Sequence, residues 1–342
     1  MKLSSVLALL LVGCASPSSR GPEPSAAYRH AVEARRPEDP TLVWTPAHVA
    51  LVASEISPNV FAVYPDDAAE KNAAGVPVAT SGGFVIGTNG VLLVDTMINR
   101  DLAAQLLALV KERTEKPILF AVNTSYHGDH SYGNQFLPKA TQVVQHEATQ
   151  KYIQASFAND IAFMSQYFGR SSGLQELKAQ PAAILMKDGE KRDFDLGGVS
   201  VTVEHLGFAQ TTGDLFVYVP SAKVLFTGNP VISGGPSFSW LLDGKSEQAL
   251  STLERLKATF PADAIVVPGH GVPTGMAAID AHIRYLTDLR TEVQTAIKDG
   301  LDAAKTSERV GQDLAAKYGT YKIYGWVNTQ LNVAKTFEEL SK

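Results

Sequence analysis

One stretch limits what this chain can fold into more than any other. Two apolar runs, Gly83-Phe84-Val85-Ile86 and Val91-Leu92-Leu93-Val94-Asp95, flank Gly87-Thr88-Asn89-Gly90. An Asn-Gly between apolar runs signals a hairpin, because both residues enter the positive-φ conformations that tight turns need. Leu102, Leu106, Leu109 and Val110 then recur at helical spacing, and Pro117 precedes another β-type run, Ile118-Leu119-Phe120-Ala121-Val122. A hairpin feeding a strand, a helix and a further strand predicts a sheet with helices outside it.

The remainder repeats this grammar. β-type runs fall at 60–64, 141–145, 199–205, 215–219, 223–227 and 264–267, with a helix predicted over 247–259. Residues 147–180 read as mainly helical, with Tyr152, Phe157, Ile161, Met164 and Phe168 on one face. After Pro273, a stripe of Ile279, Ile283, Leu286, Val293 and Ile297 predicts a long helix, and shorter helices follow from Asp302 and Val327. Twin halves ending in helices point to an α/β fold in which two sheets pack face to face under outer helices. The chain has 342 residues, 45% of them hydrophobic and 19% charged, enough for a large core and unlike a disordered or collagen-like chain. With 30 basic against 35 acidic side chains and no long basic run, nucleic acid is a poor fit as partner.

Met1-Lys2 and the apolar run ending at Val12 read as an export signal, too short to span a bilayer. The run closes on Leu11-Val12-Gly13-Cys14, which resembles the lipobox of bacterial lipoproteins, whose cysteine is acylated and becomes the mature N-terminus. Cys14 is the sole cysteine, so an internal disulfide and a thiolate zinc knuckle are both excluded. Ala15 in place of Asp favours, by the same resemblance, the outer membrane of the bacterial envelope over the inner one. The expected organisation is a signal peptide over 1–13, a Pro- and Ser-rich tether over 14–45, a main domain over 46–275 and a helical segment over 276–342 packed on it.

Behind the 118–122 run the chain reads Asn123-Thr124-Ser125-Tyr126-His127-Gly128-Asp129-His130-Ser131-Tyr132-Gly133-Asn134. Further on come Gly207-Phe208-Ala209-Gln210-Thr211-Thr212-Gly213-Asp214, Leu225-Phe226-Thr227-Gly228-Asn229 and Val267-Pro268-Gly269-His270-Gly271. With the strand end at Asp95, these stretches resemble, in order and spacing, the metallo-β-lactamase superfamily and its H-x-H-x-D-H signature over about residues 55 to 275. The resemblance implies a four-layer αββα sandwich, a site on loops at one sheet edge, zinc as cofactor and a small-molecule substrate. Members cleave β-lactam, ester, thioester, lactone or phosphodiester bonds, so the fold leaves the substrate open.

Three of the seven expected ligand positions depart from the pattern: Ser125 and Gln210 stand where the family has histidine, and Asn229 stands where it has the bridging aspartate. By position, site one would be Ser125, His127 and Gln210, with one good donor left. Site two would keep Asp129, His130 and His270, an acceptable set for a single zinc ion with a water. One reading is therefore a hydrolase with at most one zinc, in which His127 is the general base and Asn229 or Gln210 donates to a developing oxyanion. The other is an inactive, metal-independent ligand-binding or scaffold protein of the cell envelope, with Ser125, Gln210, Asn229 and His127 in one neutral hydrogen-bonded cluster. His146, His205 and His282 read as structural or surface groups, the aromatics Phe238, Trp240, Tyr324 and Trp326 as helix packing in preference to the alternative of lining a substrate cleft, and Gly234-Gly235-Pro236 as a loop beside the site.

Overall fold

The computed structural model describes residues 44–168 and 172–342; the signal segment, Cys14 and the tether up to residue 43 lie outside the described residues. The 83–95 hairpin forms, with Ile86 opposite Val91, Gly83 opposite Val94 and the Gly87 amide on the Gly90 carbonyl at 2.9 Å, but neither Asn89 nor Gly90 takes the positive φ expected of the turn. It sits inside a seven-stranded sheet whose spatial order follows the chain: β1 (Leu51–Ser57), β2 (Val60–Pro65), β3 (Gly82–Ile86), β4 (Val91–Val94), β5 (Ile118–Val122), β6 (Gln142–His146) and β7 (Ile184–Met186). A six-stranded sheet holds β8 (Lys191–Asp195), β9 (Ser200–Glu204), β10 (Phe216–Val219), β11 (Val224–Gly228), β12 (Ile265–Pro268) and β13 (Thr274–Gly275), in reverse order from β13 to β8.

The helices are α1 (Ala68–Ala73), α2 (Arg100–Arg113), α3 (Gly128–Ser131), α4 (Glu147–Phe168), α5 (Ser246–Thr259), α6 (Ala277–Lys298), α7 (Ala303–Tyr318) and α8 (Val333–Leu340). Side chains alternate between the faces of a strand, and here both faces are apolar. In β3 and β4, Val85, Leu92 and Val94 turn inward against Val203, Val217 and Phe226 of the second sheet. Phe84, Ile86, Val91 and Leu93 turn outward onto Leu102, Leu106 and Val110 of α2 and Ile153 and Met164 of α4. In β11 and β12, Leu225 and Val266 face Leu253 of α5 and Ile279 and Leu286 of α6, while Val224, Phe226 and Val267 face the other sheet. Each such side chain contributes about 1.5–3 kcal/mol on burial, and two-sided burial makes the αββα layering the favoured arrangement.

Some elements were not legible. β1, β7, β8 and β13 carry weak or no apolar alternation; β8 reads Lys-Arg-Asp-Phe-Asp with Phe194 alone buried, the charged habit of a sheet edge. The helix expected over 147–180 is α4, Glu147–Phe168 among the described residues; a short 3-10 turn at Leu174–Glu176 and the strand β7 follow. The helix expected from Val327 begins as a π-helical turn, Gly325–Asn332, before α8. Trp44, at the end of the expected tether, packs on Phe168 with ring centroids 4.6 Å apart.

The C-terminal ends of β4, β5, β11 and β12 gather at one edge, where parallel pairing of β4 with β5 and of β11 with β12 aligns them. His282 of α6 braces this edge from behind. Its Nδ1–H donates to the Ala278 carbonyl at 2.8 Å, its Nε2 accepts from the Ile232 amide at 3.2 Å, and the Ile232 carbonyl accepts from the His270 amide at 2.8 Å. That pattern fits the neutral ring only, and burial pushes His282 down to about 4. The folded chain therefore binds fewer protons than the unfolded one between about pH 4 and 6.5, so this contribution is complete above 6.5 and is lost as pH falls toward 4. We expect the contribution to be on the order of 3 kcal/mol, and His282→Gln to flatten the acid limb of urea unfolding midpoints measured from pH 7 to pH 4.5.

Candidate metal centre

Asp95, just past β4, starts the site. Its backbone is left-handed, with φ at 61°, a conformation Asp tolerates better than most residues. Its carboxylate accepts from the Thr124 amide at 2.8 Å and the Thr124 hydroxyl at 2.8 Å, and pairs with His130 Nδ1 at 2.7 Å. One buried carboxylate thus fixes both the start and the end of the loop from 124 to 130. Opposite, β11 ends at Gly228 with φ at 58°; a Cβ there would stand 2.4 Å from Thr124 Oγ1, so only glycine lets the next residue, Asn229, reach the same space.

Asp129, His130 and His270 come together, with one ligand atom from each within 4.8 Å of the others. Asp129 Oδ2 lies 3.5 Å from His270 Nε2 and 3.7 Å from His130 Nε2, and accepts from the Thr80 hydroxyl at 2.6 Å. The remote nitrogen of each ring is engaged: His130 Nδ1 by Asp95 and His270 Nδ1 by the Val78 carbonyl at 3.0 Å. In His270 a proton on Nδ1 turns the Nε2 lone pair inward, the arrangement found around metal-ligating histidines; His130 carries a proton on Nε2 toward Asn229 and would release it on binding a metal, and with that release the three donors fit a zinc ion. Burial opposes charge on Asp129, yet His130, His270 and Thr80 outweigh it and hold the carboxyl at about 2. Burial likewise opposes charge on His130, but Asp95 and Asp129 raise it to about 9, while His270, with burial dominant, falls to about 4.

The departing positions split. Asn229 joins the site: its Oδ1 lies 2.9 Å from His130 Nε2 and its Nδ2 lies 3.1 Å from His127 Nδ1, so one amide cross-links two imidazoles. Ser125 is buried, and its hydroxyl accepts from the His127 amide at 3.2 Å. Gln210 corrects the expectation of one four-membered cluster, because its Nε2 donates away from the others, to the Trp240 carbonyl at 3.1 Å. Its loop is held by Asp214, whose carboxylate accepts from the amides of Ala209, Gln210 and Thr211, and this fixes where Gln210 can reach.

Several contributors had no sequence signal. Asp243 lies 3.7 Å from His127 Nε2 and accepts from the Tyr126 hydroxyl at 2.7 Å, from a loop more than a hundred residues away. Asp160 of α4 accepts from the Tyr132 and Tyr152 hydroxyls, and burial pushes it up to about 6. Trp240 and Trp326, expected in helix packing, line the pocket over this site, whereas Phe238 does pack, stacked on Tyr285 at 4.2 Å.

His146, Asp188 and His205 form a second group of donors within 4.8 Å. Here Nδ1 of each ring accepts a backbone amide, from Ala148 at 3.1 Å and Gly189 at 3.0 Å, which places the ring proton on Nε2 and leaves the wrong tautomer for an Nε2 ligand. The rings stack at 4.4 Å, are buried and have depressed basicity, consistent with a structural pair, although neither Nε2 finds a hydrogen-bond partner.

The sequence model of the Metallo-beta-lactamase superfamily matches residues 75–270. The chain is 24% identical over 204 residues to "Metallo-beta-lactamase type 2" of Bacteroides fragilis, covering 59% of this chain and 73% of that protein. It is 22% identical over 189 residues to "Metallo-beta-lactamase IND-1" of Chryseobacterium indologenes, covering 55% and 70%. Among solved structures, a metallo-beta-lactamase from Pontibacter korlensis superposes with a TM-score of 0.51 at 20% identity, covering 70% of this chain and 99% of that one. That likeness concerns the fold, and the family match spans the strands, loops and donors described above: the chain belongs to the metallo-β-lactamase superfamily.

Proposed function

We propose that this protein is a small-molecule hydrolase working with a single zinc ion, held by Asp129, His130 and His270, and that the first metal site of the family is dismantled at Ser125, Gln210 and Asn229. The observation that carries this reading is the convergence of those three donors with both remote ring nitrogens already committed, to Asp95 and Val78. When bound, zinc supplies polarisation of the substrate oxygen and acidification of a water. The chain's own groups do the rest. His127 takes a proton at Nδ1 once Asn229 turns aside, and Asp243 beside Nε2 stabilises the resulting imidazolium. Asn229 and Gln210 each keep one amide N–H beyond those already used, available to the oxyanion that develops at an ester, thioester, lactone or β-lactam carbonyl.

A second reading draws on the cross-link made by Asn229. It engages His127 Nδ1 and His130 Nε2 without a cation, as in a metal-independent ligand-binding or scaffold protein. Placement at the bacterial envelope, in the outer membrane and facing the periplasm, belongs to both readings. It is supported by the Leu11-Val12-Gly13-Cys14 sequence; burial of acyl chains contributes about 0.8 kcal/mol per CH₂, so several chains would hold the protein at the membrane.

Elemental analysis after zinc loading and dialysis should find close to one zinc per chain, falling to background in Asp129→Ala, with ester or lactone hydrolysis lost on chelation. Undiminished zinc in Asp129→Ala, or hydrolysis indifferent to chelator, would remove the single-zinc hydrolase. Asp95→Ala leaves a buried imidazolium without its closest carboxylate, and urea unfolding should show a loss on the order of 3 kcal/mol. Cys14→Ser should move the protein from the membrane fraction to the soluble one and abolish labelling by palmitate.

A further inference from the structure

All three tryptophans of the chain, Trp44, Trp240 and Trp326, line one pocket. Phe163 and Phe168 from α4 and Tyr321 from the segment after α7 join them, so stretches far apart in sequence build a single aromatic wall. Beneath it lie His127, Asp129, Gln210, Asn229 and His270, the polar groups of the candidate metal centre, and the cavity measures about 170 Å³.

Among the described residues the lining contains no lysine or arginine, while two carboxylates, Asp129 and Asp160, border it. Lys335 comes to this side of the molecule, but its ammonium donates to the Leu242 carbonyl at 2.6 Å and is not part of the lining. A ligand carboxylate seated against this wall would give up water for aromatic faces, with no cationic side chain to pair it and two acids nearby. An uncharged aryl or alkyl group loses nothing polar there and gains burial against the rings. Gln210 adds a polar preference: it is buried in the lining and its Oε1 has no hydrogen-bond partner, so a ligand N–H or O–H is the group that would complete it.

We propose that this pocket selects uncharged substrates, seating an apolar aryl or alkyl group on the tryptophan wall with the scissile carbonyl over the polar floor, and that it discriminates against substrates bearing a carboxylate. The reaction rests on the hydrolase reading above, whereas the selectivity concerns binding and stands apart from turnover.

The three tryptophans supply the readout. N-phenylbutanamide and its matched acid, 4-(butanoylamino)benzoate, are titrated into the purified chain with chelator present, so that side chains alone are compared, and intrinsic fluorescence is followed. The uncharged amide should give a saturable shift, and the carboxylate should bind at least about tenfold more weakly. Phe163→Lys, at a half-buried position on the wall, should close that gap by supplying a counter-charge. Equal or tighter binding of the carboxylate by the unaltered chain, no saturable signal with the amide, or a gap indifferent to Phe163→Lys would each overturn the proposal. Selective binding of the amide, with no hydrolysis of phenyl butanoate after zinc loading, would leave the selectivity intact and remove the hydrolase reading instead.

Discussion

The Asp95 carboxylate is the contact on which the site depends. It takes hydrogen bonds from Thr124 at one end of the loop behind β5 and from His130 at the other, from a residue whose own backbone is held left-handed. Such a conformation persists only where its surroundings over-determine it. Here they do so through the β4–β5 pairing on one side and three hydrogen bonds on the other. Buried at 1% exposure, this carboxylate interacts with the His130 ring far more strongly than it would in water, and that interaction sustains charge on His130 against burial.

Asn229 shows how one neutral side chain changes the character of such a centre. A carboxylate at the end of β11 would add a negative charge facing the donors of Asp129, His130 and His270. An amide instead offers an acceptor oxygen and two N–H donors, and here it spends the oxygen on His130 and one N–H on His127. Replacing an anionic donor by a neutral one beside a dication costs several kcal/mol even at an effective dielectric of about 20. The same amide satisfies the facing nitrogens of His127 and His130 with no cation between them, while His127 Nε2 and Gln210 Oε1 keep no hydrogen-bond partner. Metal affinity and metal-free stability are thus traded at a single position, and the trade leaves the backbone that presents Asn229 unaltered.

Layering explains why these groups meet an apolar pocket. The sandwich ends where strands run out, and the loops beyond them carry the polar floor. The helical and irregular segments that flank the edge, α4 on one side and the 321–326 segment on the other, line the pocket with side chains such as Phe163, Met164, Tyr321 and Trp326 that also pack on the two outer core clusters. Asp160 sits at this junction. It is buried beside the site and tied to two tyrosine hydroxyls, so the wall carries a carboxylate and, among the described residues, no lysine or arginine.

Local patterning was sufficient for the hairpin, the strand–helix–strand units and two sheets packed under outer helices, because period-2 and period-3.6 burial are written in neighbouring residues, while the four-layer αββα assignment came from the family resemblance. The candidate donors Asp129, His130 and His270, and the departure at Asn229, were readable through the resemblance to the family's motifs, position by position. Edge strands such as β8 escaped, since an exposed strand carries one apolar side chain where a central strand carries four or five. Tertiary structure alone decided that Gln210 turns to the Trp240 carbonyl, that Asp243 stands beside His127, that Val78 and Thr80 orient His270 and Asp129, and that three distant tryptophans share one wall. These contacts join residues from thirty to nearly three hundred positions apart, and no local period encodes them; they exist because parallel crossovers bring separate strand ends to one edge.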